Sequence, residues 1–179
     1  MFAFEISSEN AEMYRHNMSG FDNDSWELFN RPVGGNHPVL IAAPDGAFPA
    51  MPSGEINTGG GNIFSSGGIQ TVSLEEVFQV IIGRKPDFIK LDCEGSEFPI
   101  LMTCNDLGGI GRIVGEFHCG EAMFQNPVFV EAMTGARYPA GLEGLQRHLH
   151  EQCPGYEFTY QYTDRNPHTS LGIFDWHRA

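Results

Sequence analysis

Three short stretches of the chain gather residue types that can move protons or hold a cation. They are Asp92-Cys93-Glu94-Gly95-Ser96-Glu97, Glu116-Phe117-His118, and Glu5 after the apolar run Phe2-Ala3-Phe4. A carboxylate such as Asp92 or Glu94 can take a proton from a substrate within hydrogen-bond reach, and its oxygens also suit a hard divalent cation. Glu116 and His118 stand two apart, so on a strand they share one face. If their strand neighbours that of Asp92, then Asp92, Glu94, Glu116 and His118 converge into a cluster able to relay a proton or bind a metal. Glu5, at a strand end, offers its oxygens to the paired hydroxyls of a ribose.

Each of these residues also has a plainer reading. Asp92 and Glu94 are equally the acids of a solvated turn ahead of a helix capped by Ser96. Glu5 is equally an acid at a helix N-terminus, worth ~0.3–1 kcal/mol there. Glu97 reads as a first-turn acid. A lone histidine is more often structural than functional.

Chemistry at strand ends requires strands, and the sequence supplies them in alternation with helices. Residues 1–6 read as a strand. A helix follows, capped by Ser7 or Ser8, with Glu9 and Glu12 in its first turn and Ala11, Tyr14 and Met18 as its apolar stripe. Residues 26–29 suit another strand. Residues 31–68 are rich in glycine and proline, including the triplet at 59–61, and predict loops and hairpins within the same domain.

Leu74, Val77, Phe78, Ile81 and Ile82 repeat at helical spacing behind the capping pattern Ser73-x-x-Glu76, and Gly83 and Pro86 end that helix. Residues 87–92 suit a buried parallel strand. Ser96 opens a helix bearing Phe98, Leu101 and Met102 inward, and residues 112–117 form the next strand. Leu142, Leu145 and Leu149 mark a last helix. Tyr156, Phe158, Tyr160 and Tyr162 then alternate with polar residues as a strand does, and residues 171–174 complete the set. The order predicts an α/β fold with a mainly parallel sheet, closed by an antiparallel pair at its C-terminal edge. In such a sheet ligands collect at the carboxyl ends of the strands, where the three acidic stretches lie.

Composition narrows the field. The chain has 179 residues, enough for one domain spanning 1–179, and a net charge of −13. That charge disfavours nucleic acid and anionic membranes as partners. The run at 39–43 is far too short to cross a bilayer. Cys93, Cys104, Cys119 and Cys153 form no CxxC pair, which points to reduced thiols and a cytoplasmic protein. His148 and His150 read as surface residues, and residues 59–62 as a turn rather than a phosphate loop.

Taken together, the motifs resemble a family. Phe2-Ala3-Phe4-Glu5 with Asn10 and Asn17 resembles the "AFEP … N … N" segment of FkbM-type methyltransferases. Thr71-Val72-Ser73-Leu74-Glu75-Glu76 is similar to that family's "V-x-T-L-D-x" approach. Residues 87–97 are similar to its signature "D-x-I-K-I-D-V-E-G-x-E", and Glu116-Phe117-His118 to its "E-x-H". The resemblance implies a Rossmann-like class I methyltransferase sheet and an S-adenosylmethionine-dependent O-methyltransferase acting on a hydroxyl of a small molecule or sugar. It implies that Glu5 binds the cofactor's ribose, that Pro32 and Val33 lie near its adenine, and that Asp92 sits beside its methionine part or the acceptor. Glu94, Glu116 and His118 would line the acceptor side.

Two departures stand out. Ile6 replaces the family's proline, and the family's first strand with its glycine-rich loop has no counterpart. The expectation is that residues 1–6 pair directly with residues 87–92 across the gap, or that the chain is poorly stable. In either case S-adenosylmethionine should bind it weakly or not at all. The rival readings are a degenerate non-catalytic domain and a metal-dependent enzyme built on Asp92, Glu94, Glu116 and His118.

Overall fold

The computed structural model describes residues 1–22, 26–41, 68–165 and 170–179. Its principal sheet has four strands in the order β7-β8-β10-β9. These are β7 (Phe88–Leu91), β8 (Arg112–Cys119), β9 (Tyr156–Arg165) and β10 (Ser170–Arg178). β7 and β8 are parallel, with Lys90 opposite Val114 and Leu91 opposite Gly115. β10 runs antiparallel to both β8 and β9. The sheet is therefore mixed rather than mainly parallel. The expected antiparallel C-terminal pair is present, and β10 reaches inward to β8 as well.

Shorter ladders make up the rest. β1 (Phe2–Phe4) pairs in parallel with β2 (Glu27–Phe29), where the Phe4 and Phe29 rings stack at 5.0 Å. β3 (Val33–Gly34) pairs in parallel with β6 (Val72–Ser73), and β4 (Leu40–Ile41) antiparallel with β5 (Ile69–Gln70). The glycine- and proline-rich stretch thus forms short ladders at its two ends. Its middle, including the turn expected at 59–62, lies outside the described residues.

β1 pairs with β2 and not with β7, so of the two expected outcomes direct pairing across the gap is not the one found. Among the described residues β7 carries a ladder on one side only. It is accordingly an edge strand of this sheet, with Phe88 and Lys90 exposed and only Leu91 buried, rather than a buried strand.

Period-two patterning explains which face is covered. Along β8, Ile113, Gly115 and Phe117 are buried, whereas Arg112, Val114, Glu116 and His118 are at least partly open. The buried set joins Phe174 and Trp176 of β10 in the main core. Gly172 is required there, because a Cβ would run into the Phe117 ring.

Helices α3 (Glu97–Thr103) and α6 (Leu142–Gln152) pack on each other, and against β8 and β9 respectively. Every residue of α3 is buried. Each large apolar side chain so covered contributes ~1.5–3 kcal/mol of burial free energy. β8 thus turns its apolar positions onto these helices and its polar ones outward.

Local chemistry sets the remaining elements. Ser7 caps α1 (Ser8–Met18) by accepting the Asn10 N–H. Ser73 accepts the Glu76 N–H at the start of α2 (Leu74–Glu76). The helix expected over 74–82 then widens into a π-helical turn, Val77–Ile81, closed by Ile82 N–H on the Val77 carbonyl. Two short helices escaped the periodicity argument. They are α4 (Glu121–Phe124) and α5 (Pro127–Ala132), the latter capped by the Asn126 side chain. Six residues or fewer cannot show a helical period, although Asn126-Pro127 is itself a start signal.

His148 corrects another expectation. It is only 5% exposed, with Nε2 3.0 Å from the Cys104 carbonyl. It tethers α6 to the end of α3 and is not a surface residue.

Candidate functional site

After Leu91 the chain reverses through a tight turn before α3 begins. Glu94 adopts φ 50°, in the left-handed region, and Gly95 follows at 104°. A non-glycine residue there costs on the order of 1–3 kcal/mol and persists only where its surroundings hold it. The holding group is Glu97. Its Oε1 accepts the Cys93 N–H at 2.7 Å and its Oε2 accepts the Gly95 N–H at 2.9 Å. Ser96 occupies the cap position of α3, but its side chain makes no capping bond. The acid one residue later binds the turn instead.

Glu97 is 0% exposed. A buried carboxylate is tolerable only when donors surround it. Besides the two backbone donors it faces His118, whose Nδ1 lies 3.4 Å from its Oε1. The other ring nitrogen, Nε2, lies 3.4 Å from Glu94 Oε2. Both contacts are long for hydrogen bonds; they are contacts of charge that aim the ring. One buried acid therefore joins the turn carrying Asp92 and Glu94 to the end of β8 carrying His118.

The parallel pairing of β7 and β8 completes the convergence. Donor atoms of Asp92, Glu94 and His118 all lie within 4.8 Å of one another. Asp92 is the most open of the three and touches the exposed Lys90 ammonium at 3.3 Å. Glu116 stands on the same side of β8 as His118, near enough for its charge to act on Glu94. Asp92, Glu94 and His118 thus meet at the ends of two strands, Glu116 stands on the same face of β8, and Glu97 joins the group from beneath. Its signal was present in the signature stretch, but a first-turn acid and a buried turn-holder look alike in sequence.

Electrostatics at the cluster are uneven. Burial raises the Glu94 carboxyl above its usual value, opposed by His118 and reinforced by the charges of Asp92, Glu97 and Glu116. Burial alone would lower the His118 imidazole, yet the Glu97 contact and the charges of Glu97, Glu94 and Asp92 outweigh it, so its pKa rises. The Cys93 thiol is pushed up to about 12, chiefly by burial and then by Glu97. It stays protonated at neutral pH and is no nucleophile.

The remaining residues named from sequence lie elsewhere. Glu5 follows β1 and accepts the Ser7 N–H at 2.8 Å, and its carbonyl accepts from Asn30 Nδ2 at 2.7 Å. Its charge reaches the Cys93 thiol, so it stands toward the same turn. Pro32 is buried and its carbonyl accepts the Val72 N–H, while Val33 packs against the main core. A groove of about 520 Å³ between α6 and β9, lined partly by Arg147, His150, Tyr156 and Trp176, contains none of these positions. Cys93, Cys104 and Cys153 are free thiols, and no helix among the described residues is long and apolar enough to cross a membrane.

No curated protein and no solved structure matches the chain. The family model of the methyltransferase FkbM domain matches residues 15–137. That span holds both the Asp92–Glu97 turn and Glu116–His118, and it leaves Glu5 outside. It covers well over half of the chain, which is a methyltransferase belonging to the FkbM domain family.

Proposed function

We propose that this methyltransferase uses S-adenosylmethionine and methylates a hydroxyl of a small molecule or sugar. The observation that carries the reading is the convergence of Asp92, Glu94 and His118 at the carboxyl ends of two parallel strands. Ligands of open α/β sheets collect at such ends. The Rossmann-like sheet expected of the family is part of the same proposal.

The residues suit the donor. Glu5, held by the Ser7 N–H, retains lone pairs for ribose hydroxyls, and the acids of the turn suit a cationic sulfonium. Pro32 and Val33 are assigned to the adenine side. When bound, the donor supplies an electrophilic methyl group. The chain's task is alignment of the acceptor oxygen with that methyl and removal of the hydroxyl proton. Asp92, Glu94 and His118 face the acceptor, and Glu97 keeps the turn and the imidazole in register. The free thiols of Cys93, Cys104 and Cys153 fit the cytoplasm as its compartment. An acidic field argues against nucleic acid and membrane partners.

Calorimetric titration with S-adenosylhomocysteine tests the reading, followed by incubation of the chain and donor with a panel of sugars and small alcohols. The expected result is weak but saturable binding, which Glu5→Ala weakens further, together with a product heavier by one methylene. No binding, or binding with no methylated hydroxyl across the panel, would leave a methyltransferase-like domain without this activity.

A further inference from the structure

We infer that Asp92, Glu94 and His118 form a site for one divalent first-row metal ion, set against the acceptor hydroxyl. The inference rests on the reading above for its place in the reaction, but the site itself stands on geometry. Two carboxylates and one imidazole come from two different elements, a turn and a strand, with donor atoms within 4.8 Å of one another. The 3.4 Å between His118 Nε2 and Glu94 Oε2 equals the spacing of two donors ~2.1 Å from a tetrahedral ion, about 3.4 Å.

The ring's orientation is an observation independent of the three donors. His118 Nδ1 is buried, makes no hydrogen bond of normal geometry, and faces Glu97. Glu97 is fully buried and already engaged by two backbone donors. A carboxylate behind the remote ring nitrogen is the arrangement that fixes a metal-binding histidine and leaves the other nitrogen free to ligate. Asp92 is the open flank, with the exposed Lys90 ammonium 3.3 Å from its Oδ2.

Mixed oxygen and imidazole donors favour Mn²⁺, Fe²⁺, Co²⁺ or Zn²⁺ over Ca²⁺. Three protein ligands leave at least one position open toward the acceptor. A hydroxyl beside the ion loses its proton more readily. The O–CH3 bond then forms as the donor's S–CH3 bond breaks, the electron pair returns to sulfur, and the proton leaves to water.

The test uses the purified chain with MnCl2 alone, in the absence of methyl donor and acceptor. Nuclear magnetic resonance should show paramagnetic broadening centred on residues 93–95 and 116–120, with one ion bound per chain. His118→Ala and Asp92→Asn should each weaken Mn²⁺ binding at least about tenfold. Lys90→Ala should strengthen it, and Asp175→Asn should leave it unchanged. Broadening spread over the acidic surface, or His118→Ala binding as the parent chain does, would overturn the site. Should the alanine variant fail to fold, His118→Gln and the broadening map of the parent chain decide the matter. Mn²⁺ binding without S-adenosylhomocysteine binding would sink the methyl-transfer reading and leave the metal site standing; the converse would sink only the metal site.

Discussion

The two ends of β8 carry opposite solutions to one problem. Arg112, at its start, shares a face with Glu116 and His118, at its finish. At the start, Arg112 Nε donates to Asp175 Oδ1 at 3.0 Å and Nη2 to Oδ2 at 2.6 Å. The guanidinium fork matches the carboxylate, and His177 Nδ1 stands 3.3 Å from the same Oδ1, so the acid has its partners within the protein. At the finish, Asp92, Glu94 and Glu97 act on one imidazole, Glu116 adds its charge at Glu94, and the one ammonium there is exposed. Negative charge there exceeds its protein partners. A balanced exposed pair needs nothing further and contributes little. An unbalanced, partly buried cluster is complete only with a proton, a substrate or a cation, and that difference separates scaffold from site on a single strand.

The sharpest way to break the comparison is to disable each end in turn. Replacing His118 by Ala should lower methyl transfer by ~10²–10⁴-fold with the fold retained. Asp175→Asn, at the opposite end, should leave turnover near that of the parent chain. Equal losses in both variants would mean that the two ends do not differ in kind.

The next largest effect falls on stability. Glu97→Ala strands the buried N–H groups of Cys93 and Gly95, each worth about 1–3 kcal/mol. Urea denaturation should therefore register a loss of roughly 2–4 kcal/mol. Glu97→Gln keeps one acceptor oxygen and should recover part of that loss. An Ala variant as stable as the parent would show that Glu97 does not hold the turn.

Glu94→Gly offers a smaller and opposite signal. Glycine accepts φ 50° without strain, so the variant should be as stable as the parent or up to ~1 kcal/mol more stable. It should nevertheless lose activity. Gain in both measurements would remove Glu94 from the site.

The smallest effect belongs to the scaffold end. Arg112 holds the Asp175 carboxyl below its ordinary value by hydrogen bonds and charge. A lowered carboxylate pKa contributes stability above the unfolded-state value, and that contribution is lost as pH falls through the folded-state value. Arg112→Ala should therefore narrow the stability difference between neutral and strongly acidic pH, and added salt should shrink the effect. A salt-independent loss as large as that of Glu97→Ala would reverse the ranking of the two ends.

Much of this was legible in the residues. Period-two alternation marked β9, the leucine stripe marked α6, and the serine caps at residues 7–8 and at Ser73 located two helix starts. All are local signals, written within one turn or one strand. The candidate site was legible as types and spacing, because Asp92, Glu94, Glu116 and His118 lie in two compact motifs. His148 was misread because burial depends on what packs over a helix, and the Cys104 carbonyl lies 44 positions away. β7 was misread as interior because an apolar run cannot report how many neighbours a strand has.

The sequence by itself determined which residues are acids and imidazoles, which alternate, and that two motifs end strands. Parallel, adjacent strands were expected from the alternation, and the tertiary structure fixed the register of β7 on β8 that sets Asp92 and Glu94 beside His118. It also decided that Glu97 is buried between them. The reason is physical: a carboxylate at the first turn of a helix is cheap in water whatever its neighbours. It becomes a keystone only when packing removes the water and leaves two backbone N–H groups and one imidazole as its partners.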